Sequence, residues 1–368
     1  MNPVERLDPF DADRFLEEFW QRRPCLIGNW IQAAPLPLDD LLDAADSLSL
    51  PARLIRGRQD LADWTLLHGP LEADDLPDTP SDWTVLVQEM DKARPEVESV
   101  LDRFREFLPD WLLDDVMISQ AAPGGSVGAH ADAYDVFLVQ VGGTRLWQLA
   151  ENFDTTLDNR FELALLARWQ PETEVRAEPG DTLYLPASIA HHGVAQNTCQ
   201  TWSVGLRTPS GPEMLFLLGE LLTAQSRNPA RLSVQQPERD NPARIGSGLV
   251  TEARRLLEHT LSMPDAELEA LLGRILTQWR LWPRDEEPEL ETIVQHLGRN
   301  RSLKLHGSAR LAIHGRHGEA HLTINGEPIR CPSPLARELA QTRLVGSAWL
   351  ECRDGLEQLC DLGAIDIP

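Results

Sequence analysis

The residues most able to do chemistry lie in Gly128-Ala129-His130-Ala131-Asp132-Ala133-Tyr134-Asp135, immediately ahead of the apolar run Val136 to Val141. In an extended strand, residues two apart point to the same face, so His130 and Asp132 can offer an imidazole and a carboxylate to one ion. About sixty residues further on, EPGDTLYLPASIAHHG predicts a strand followed by His191-His192, which can bring a third ligand from a neighbouring strand. Two His and one carboxylate on one face leave three octahedral positions open, the arrangement by which non-haem Fe(II) oxygenases take up co-substrate and oxygen. His-x-Asp alone is a weak signal, because a lone strand His more often packs than ligates. The context strengthens it. Gly124, Gly125 and Gly128 permit an open loop before His130, and Gly180-Asp181 supplies a tight turn before the second segment.

An oxygenase that uses 2-oxoglutarate also needs a cation for the distal carboxylate, and a guanidinium holds one with two parallel hydrogen bonds. Arg145 is the candidate. It opens the run Arg145-Leu146-Trp147-Gln148-Leu149 after Gly142-Gly143-Thr144, a turn expected to fold it back as a hairpin beside the His130–Asp132 strand.

The elements that must position these groups follow from pattern changes. FDADRFLEEFW at 10–20 predicts an amphipathic helix behind a capping Asp. From about 53 to 208, short β-rich runs (WTVLVQ, VMISQ, DVFLVQV, TRLWQL, DTLYLP, TWSVGL) alternate with Gly, Pro and Asp turns, as in a sandwich or barrel. After residue 210 three helical stretches follow: EMLFLLGELLTAQS, GLVTEARRLLEHTLS and DAELEALLGRILTQWRL. The first is apolar nearly all round, through Leu215, Phe216, Leu217, Leu218, Leu221 and Leu222, which predicts burial on more than one side, by homodimerisation first and by packing against its own β-domain as the alternative. WPRDEEPELE at 282–291 reads as a linker, and beyond it a hairpin within 309–330 and two helices around a short strand resemble a winged helix. The expected division is 1–210 for the catalytic domain, 211–281 for the helical dimerisation unit and 282–368 for the winged-helix-like unit.

A formal net charge of −24 opposes direct binding to nucleic-acid phosphates and suits a basic protein partner. The five cysteines are scattered without a C-x-x-C pair, which predicts reduced thiols rather than disulfides or structural zinc. With no apolar leader and no membrane-length apolar run, a cytoplasmic location away from the membrane is expected.

Met117-Ile118-Ser119, the stretch from Pro123 to Phe137 and Ser203-Val204-Gly205-Leu206-Arg207 resemble the corresponding segments of bacterial JmjC-type ribosomal oxygenases. Within these the chain is most similar to the arginine hydroxylases of large-subunit ribosomal protein sixteen, over its whole length and with Phe19-Trp20 and Arg23-Pro24 in place. The resemblance implies an α+β chain whose catalytic domain is a double-stranded β-helix of JmjC and cupin type. It implies Fe(II) ligation by His130, Asp132 and His191, with His191 rather than His192 aligning with the family ligand. It also implies 2-oxoglutarate at Arg145, molecular oxygen as oxidant, and a substrate pocket with Asp115, Tyr134 and Ser203. Met117 and Ser119 stand at two-residue steps from Asp115 and share its face; Met117 is assigned to the substrate wall and Ser119 to the co-substrate beside Arg145. The implied reaction hydroxylates an arginine side-chain carbon of a basic ribosomal protein and yields succinate and carbon dioxide. Two rivals are a cupin-type metalloenzyme without 2-oxoglutarate, whose sites commonly carry more His, and a non-catalytic scaffold using the helical and C-terminal units.

Overall fold

The computed structural model describes residues 3–187, 189–225, 230–233, 245–278, 289–316 and 318–366. The chain forms two compact units, Met1–Thr208 and Pro209–Pro368.

The first unit runs through β1 (Glu5–Leu7), α1 (Ala12–Glu18), β2 (Cys25–Ile27), α2 (Leu38–Ser47), β3 (Ala52–Arg56), β4 (Thr65–His68), β5 (Trp83–Val87), α3 (Met90–Ala93), α4 (Pro95–Arg105) and β6 (Leu113–Ala121). It continues with β7 (Asp135–Gly142), β8 (Arg145–Ala150), β9 (Thr173–Ala177), β10 (Thr182–Leu185), β11 (Ala190–Ala195) and β12 (Cys199–Leu206). Nine strands form one sheet in the order β1-β2-β10-β7-β12-β6-β5-β3-β4, and a second sheet has the order β11-β8-β9. From β7 onward the chain passes between the two sheets, β7, β10 and β12 in the larger and β8, β9 and β11 in the smaller. Antiparallel strands wound this way make a double-stranded β-helix.

Side-chain pattern explains the winding. β7 reads Asp-Val-Phe-Leu-Val-Gln-Val without polar alternation because both of its faces are covered. Val136 and Leu138 pack with Trp147 and Leu149 of the smaller sheet and Leu183 and Leu185 of β10. Phe137 points the other way, into an aromatic cluster with Phe15, Phe104 and Tyr184. The α1 helix supplies Phe15, and its Asp11 cap accepts the backbone N–H of Arg14.

The turn after β7 differs from the hairpin expected of it. β8 pairs with β11 and β9, not with β7. Gly143 has φ +61°, and a Cβ there would lie 2.2 Å from the Thr198 carbonyl oxygen, so only glycine makes this corner. The Asn197 side chain then accepts the Thr144 N–H at 2.8 Å. The chain is therefore turned out of the larger sheet, and Arg145 begins a strand of the smaller one.

The second unit contains α5 (Gly211–Gln225), α6 (Ser247–Leu261), α7 (Asp265–Thr277) and α8 (Leu290–Gly298), then β13 (Leu303–Lys304), β14 (Leu311–His314), β15 (His321–Ile324), β16 (Glu327–Ile329), α9 (Ser333–Thr342), β17 (Leu344–Val345) and α10 (Arg353–Asp361). α5 buries Leu217, Leu218 and Leu221 against Leu271 and Ile275 of α7. Its other side stays open, with Leu215 60% and Phe216 66% exposed. The expected hairpin is β14–β15, extended by β16 into a three-stranded sheet. Its core joins α8, α9 and α10 through Ile293, Leu339, Trp349 and Leu359. Most of the expected linker at 282–291, and the boundary at 281/282, lie outside the described residues, as does His317 in the hairpin turn.

Candidate active site

Two backbone hydrogen bonds set the geometry of the site. His130 N–H donates to the His191 carbonyl at 3.0 Å and His191 N–H to the His130 carbonyl at 2.8 Å. This isolated antiparallel bridge places the two side chains on one face, with ring centroids 4.3 Å apart. Asp132 is not on a strand, contrary to the reading of His130–Asp132 as an extended pair. It lies in the loop between the bridge and β7. Gly128, at φ +82° and with a Cβ position 2.5 Å from the Leu165 side chain, turns the chain into the bridge ahead of that loop.

The loop still delivers the carboxylate. Asp132 Oδ1 lies 3.9 Å from His130 Nε2, and Asp132 Oδ2 3.7 Å from His191 Nε2. One ligand atom from each of the three residues lies within 4.8 Å of the others. The second ring nitrogens complete the arrangement: His130 Nδ1 is 2.9 Å from the Gly128 carbonyl and His191 Nδ1 3.3 Å from that of Ile189. A carbonyl only accepts, so each Nδ1 carries the hydrogen and each Nε2 turns a lone pair toward the carboxylate. Burial, then the neighbouring His130, pushes the His191 pKa down to about 4, so its ring is neutral at pH 7, as a metal ligand must be. The donor set suits a divalent first-row metal with open positions.

His192 faces the other side of the smaller sheet. Its Nδ1 lies 3.1 Å from Gln148 Oε1, which also accepts from Trp169 Nε1. Successive strand residues point to opposite faces, so only one of the two adjacent histidines can join Asp132. Among the described residues, no third imidazole of the kind found in His-rich cupin sites joins the cluster.

Arg145 is 2% exposed. Its Nη2 lies 3.5 Å from Ser119 Oγ and 3.6 Å from Cys199 Sγ, and its Nε has no hydrogen-bond partner. Among the described residues no carboxylate pairs with it. A buried guanidinium without a counter-ion carries a desolvation penalty of several kcal/mol, which an anion entering the site would offset. Ser119 donates its hydroxyl hydrogen to the Thr201 carbonyl at 3.2 Å, leaving oxygen lone pairs toward Arg145.

These groups line one cavity of about 290 Å³. Asp115, Met117 and Ser119 alternate along β6 and all face it, and Met117 is in register with Ser203 on β12. Ser119 and Asp115 are four residues apart, roughly 13 Å along an extended strand, so the cavity has Arg145 at one end and a carboxylate toward the other. Asp115 Oδ2 accepts the Glu89 N–H at 3.1 Å. Burial, followed by the nearby Asp91, raises its pKa to about 6. Tyr134, 39% exposed, also lines the cavity. Burial first, and then Asp132 and Asp115, lift its phenol to about 12, so it keeps its proton.

Sequence reasoning missed several residues of this wall. Arg53 and Ile55 on β3, Leu86 and Gln88 at β5, Trp147 on β8 and Leu163 to Leu165 all line the cavity. The alternation of Arg53 and Ile55 is visible in the sequence, but which face of β3 meets the cavity depends on its pairing with β5.

A family model of the JmjC domain matches residues 99–214. The ribosomal protein uL16 3-hydroxylase of Escherichia coli is 31% identical over 273 residues, covering 72% of this chain and 71% of that protein. The protein named "Probable ribosomal oxygenase" of Haemophilus influenzae is 36% identical over 211 residues, 53% of this chain but only 49%, about half, of that relative. Among solved structures, that of Escherichia coli ycfD superposes with a TM-score of 0.83 at 26% identity, covering 97% of this chain and 98% of the other. The structure of the ribosomal oxygenase YcfD in complex with cobalt and 2-oxoglutarate gives a TM-score of 0.79 at 27% identity, with 96% of each chain covered.

Proposed function

The chain belongs to the family of JmjC-type ribosomal oxygenases, and we propose from that premise that it is an Fe(II)- and 2-oxoglutarate-dependent hydroxylase of an arginine side-chain carbon in ribosomal protein uL16. The observation that carries this reading is the cavity itself, which holds a three-residue metal cluster, a buried unpaired guanidinium and a carboxylate of raised pKa.

His130, Asp132 and His191 would hold the metal. Bound there, Fe(II) supplies the redox chemistry by which oxygen converts 2-oxoglutarate to succinate and carbon dioxide while one oxygen atom enters a substrate C–H bond. Arg145 orients the co-substrate by gripping its distal carboxylate through two N–H groups, with the Ser119 hydroxyl oxygen beside it. Asp115 accepts from the incoming guanidinium, and its single backbone hydrogen bond leaves lone pairs for that contact. Tyr134 and Ser203 add polar contacts at the substrate end. Met117 forms the wall between the two ends, and Trp147, Leu138 and Leu165 keep water from the reacting carbon.

The negative charge of the chain draws a basic ribosomal protein to it, and a substrate of this kind places the enzyme in the cytoplasm. Among the described residues no helix is long and apolar enough to cross a membrane. Homodimerisation through the helical unit is supported by α6, none of whose residues is buried, and by the apolar side chains exposed along α5 and α6, including Phe216, Val250 and Leu257.

The decisive experiment is mass spectrometry of recombinant large-subunit ribosomal proteins after incubation with enzyme, Fe(II), 2-oxoglutarate and oxygen, beside Asp132→Ala. One added oxygen on an arginine of uL16, absent in the variant, is the expected result. Oxygen added to histidine, or to a different protein, would refute the substrate assignment.

A further inference from the structure

Beside the cavity lies a second concavity that the metal cluster and the co-substrate site do not use. A neighbouring groove of about 560 Å³ is lined by Asp46, Ser49, Pro51, His68 and Pro70, and it shares two wall residues with the cavity, Arg53 and Gln88. The groove lies where the C-terminal end of α2 meets the ends of β3 and β4, and β4 is the edge strand of the larger sheet. Arg53 stands at the junction. It is in register with Leu86 on β5, which is in register with Ser119 on β6, so the Arg53 backbone is two strand spacings, roughly 10 Å, from that of Ser119.

The Arg53 side chain is half-buried and has no hydrogen bond or ion pair among the described residues. Most of the arginines of this unit are paired: Arg6 with Asp181, Arg58 with Asp60, Arg105 with Glu98 and Asp110, and Arg160 with Asp158. An unpaired guanidinium at the join between two concavities offers up to five N–H donors to whatever passes between them. Inside the cavity the reacting side chain needs a carboxylate, which Asp115 supplies. Beyond Arg53 the groove carries Asp46 on its rim, and its His68 ring lies 3.0 Å from Glu162, so carboxylates there are open to a basic polypeptide. The acceptors that every polypeptide brings, whatever its side chains, are backbone carbonyl oxygens.

We propose that the groove beyond Arg53 seats the chain flanking the hydroxylated residue on one side, and that Arg53 is a positioning residue that fixes this segment by donating to its backbone carbonyls. The inference rests on the functional reading above and adds the course of the substrate backbone. It makes recognition one-sided: residues on the flank that enters the groove contribute to binding, and residues on the other flank do not pass Arg53.

The test uses uL16 and synthetic peptides centred on the position found hydroxylated, shortened residue by residue from each end, with the full-length enzyme. In the wild-type enzyme, extension on one flank raises kcat/KM about tenfold or more, through KM, and extension on the other changes it little. In Arg53→Ala the gain from the favoured flank disappears and 2-oxoglutarate binding, read by thermal stabilisation, is unchanged, which shows that the variant is folded. Arg53→Lys recovers part of the gain, and Asp46→Trp, which fills the groove from an exposed helix position, loses it as Arg53→Ala does. Equal dependence on length in wild-type and Arg53→Ala, or a loss that is as large for the shortest peptide as for the longest, would overturn the proposal while leaving hydroxylation of uL16 intact. Absence of hydroxylation of every uL16 form by the wild-type enzyme would overturn the functional reading and this inference with it.

Discussion

Replacing Arg145 with alanine should separate ligand binding from stability in an unusual direction. The side chain is 2% exposed, its Nε is unpaired and its nearest partners are a hydroxyl and a thiol at the limit of hydrogen-bond length. In the empty protein, therefore, Arg145→Ala removes an uncompensated buried charge together with the stacking of the guanidinium 5.5 Å from the centre of the Trp147 ring. These effects oppose each other, and the melting temperature should move by only a few degrees. Binding should not be spared. Removing one member of a buried, hydrogen-bonded charge pair costs about 2–5 kcal/mol, which at about 1.4 kcal/mol per decade weakens 2-oxoglutarate binding roughly 30- to 5,000-fold. With 2-oxoglutarate at 100 times the wild-type Kd, the ligand stabilises the wild-type protein by about 2.7 kcal/mol. The same concentration stabilises a variant a thousandfold weaker by less than ~0.1 kcal/mol. Thermal unfolding of the metal-loaded protein under anaerobic conditions, with and without 2-oxoglutarate, measures this directly. The wild-type shift should vanish in Arg145→Ala and survive in part in Arg145→Lys, which keeps the charge but loses the planar fork. A ligand-dependent shift in Arg145→Ala equal to that of the wild type would refute the assignment of Arg145 to the co-substrate, and loss of metal binding along with it would show that the residue acts on the metal cluster instead.

The remaining predictions concern the two histidines, the substrate carboxylate and the open helices. His191→Ala should abolish Co(II) binding followed by visible absorbance, whereas His192→Ala, whose side chain contacts Gln148 on the opposite face, should keep it; the reverse result would move the ligand by one residue. With the Asp115 pKa raised to about 6, kcat/KM for an arginine substrate should fall as pH drops through that value, because the protonated carboxyl no longer pairs with the guanidinium, and this limb should be missing in Asp115→Asn. The same raised pKa means that, without substrate, the neutral form favours folding at low pH and that contribution is lost as pH rises through about 6, so Asp115→Asn should be no less stable than wild type at pH 7. Phe216→Glu, at a 66% exposed position, should leave the fold intact and convert a dimer to a monomer in sedimentation velocity; an unchanged sedimentation coefficient would count against dimerisation through α5.

Much of the fold is written locally. β7 and β10 are nearly continuous apolar runs because strands covered on both faces need not alternate, and such runs are recognisable without knowing their neighbours. The α6 and α7 helices declare themselves by period, α5 by a long apolar stretch behind Pro212, and the β14–β15 hairpin by alternation around glycines. The residue types of the metal cluster, and the unusual glycine density before His130, are likewise local.

Tertiary structure decided what no local pattern holds. The hairpin expected at Gly142-Gly143-Thr144 is a corner between sheets, because a carbonyl from Thr198, more than fifty residues away in sequence, closes the space beside Gly143. Asp132 meets the histidines from a loop and not from a strand face, through a bridge that exists only because His191 is brought back to His130. The same return fixes which of two adjacent histidines looks inward, since the register of β11 on β8 sets the face of every residue in it. Arg53 shows the limit most clearly. From the sequence it is one arginine in a short strand, and its place between two concavities arises from the pairing of β3 with β5 and β4, contacts whose energy depends on residues distant in the chain. Residue types and periods are properties of a segment and can be read from it, whereas register, crossing and the absence of a partner are properties of the packed whole.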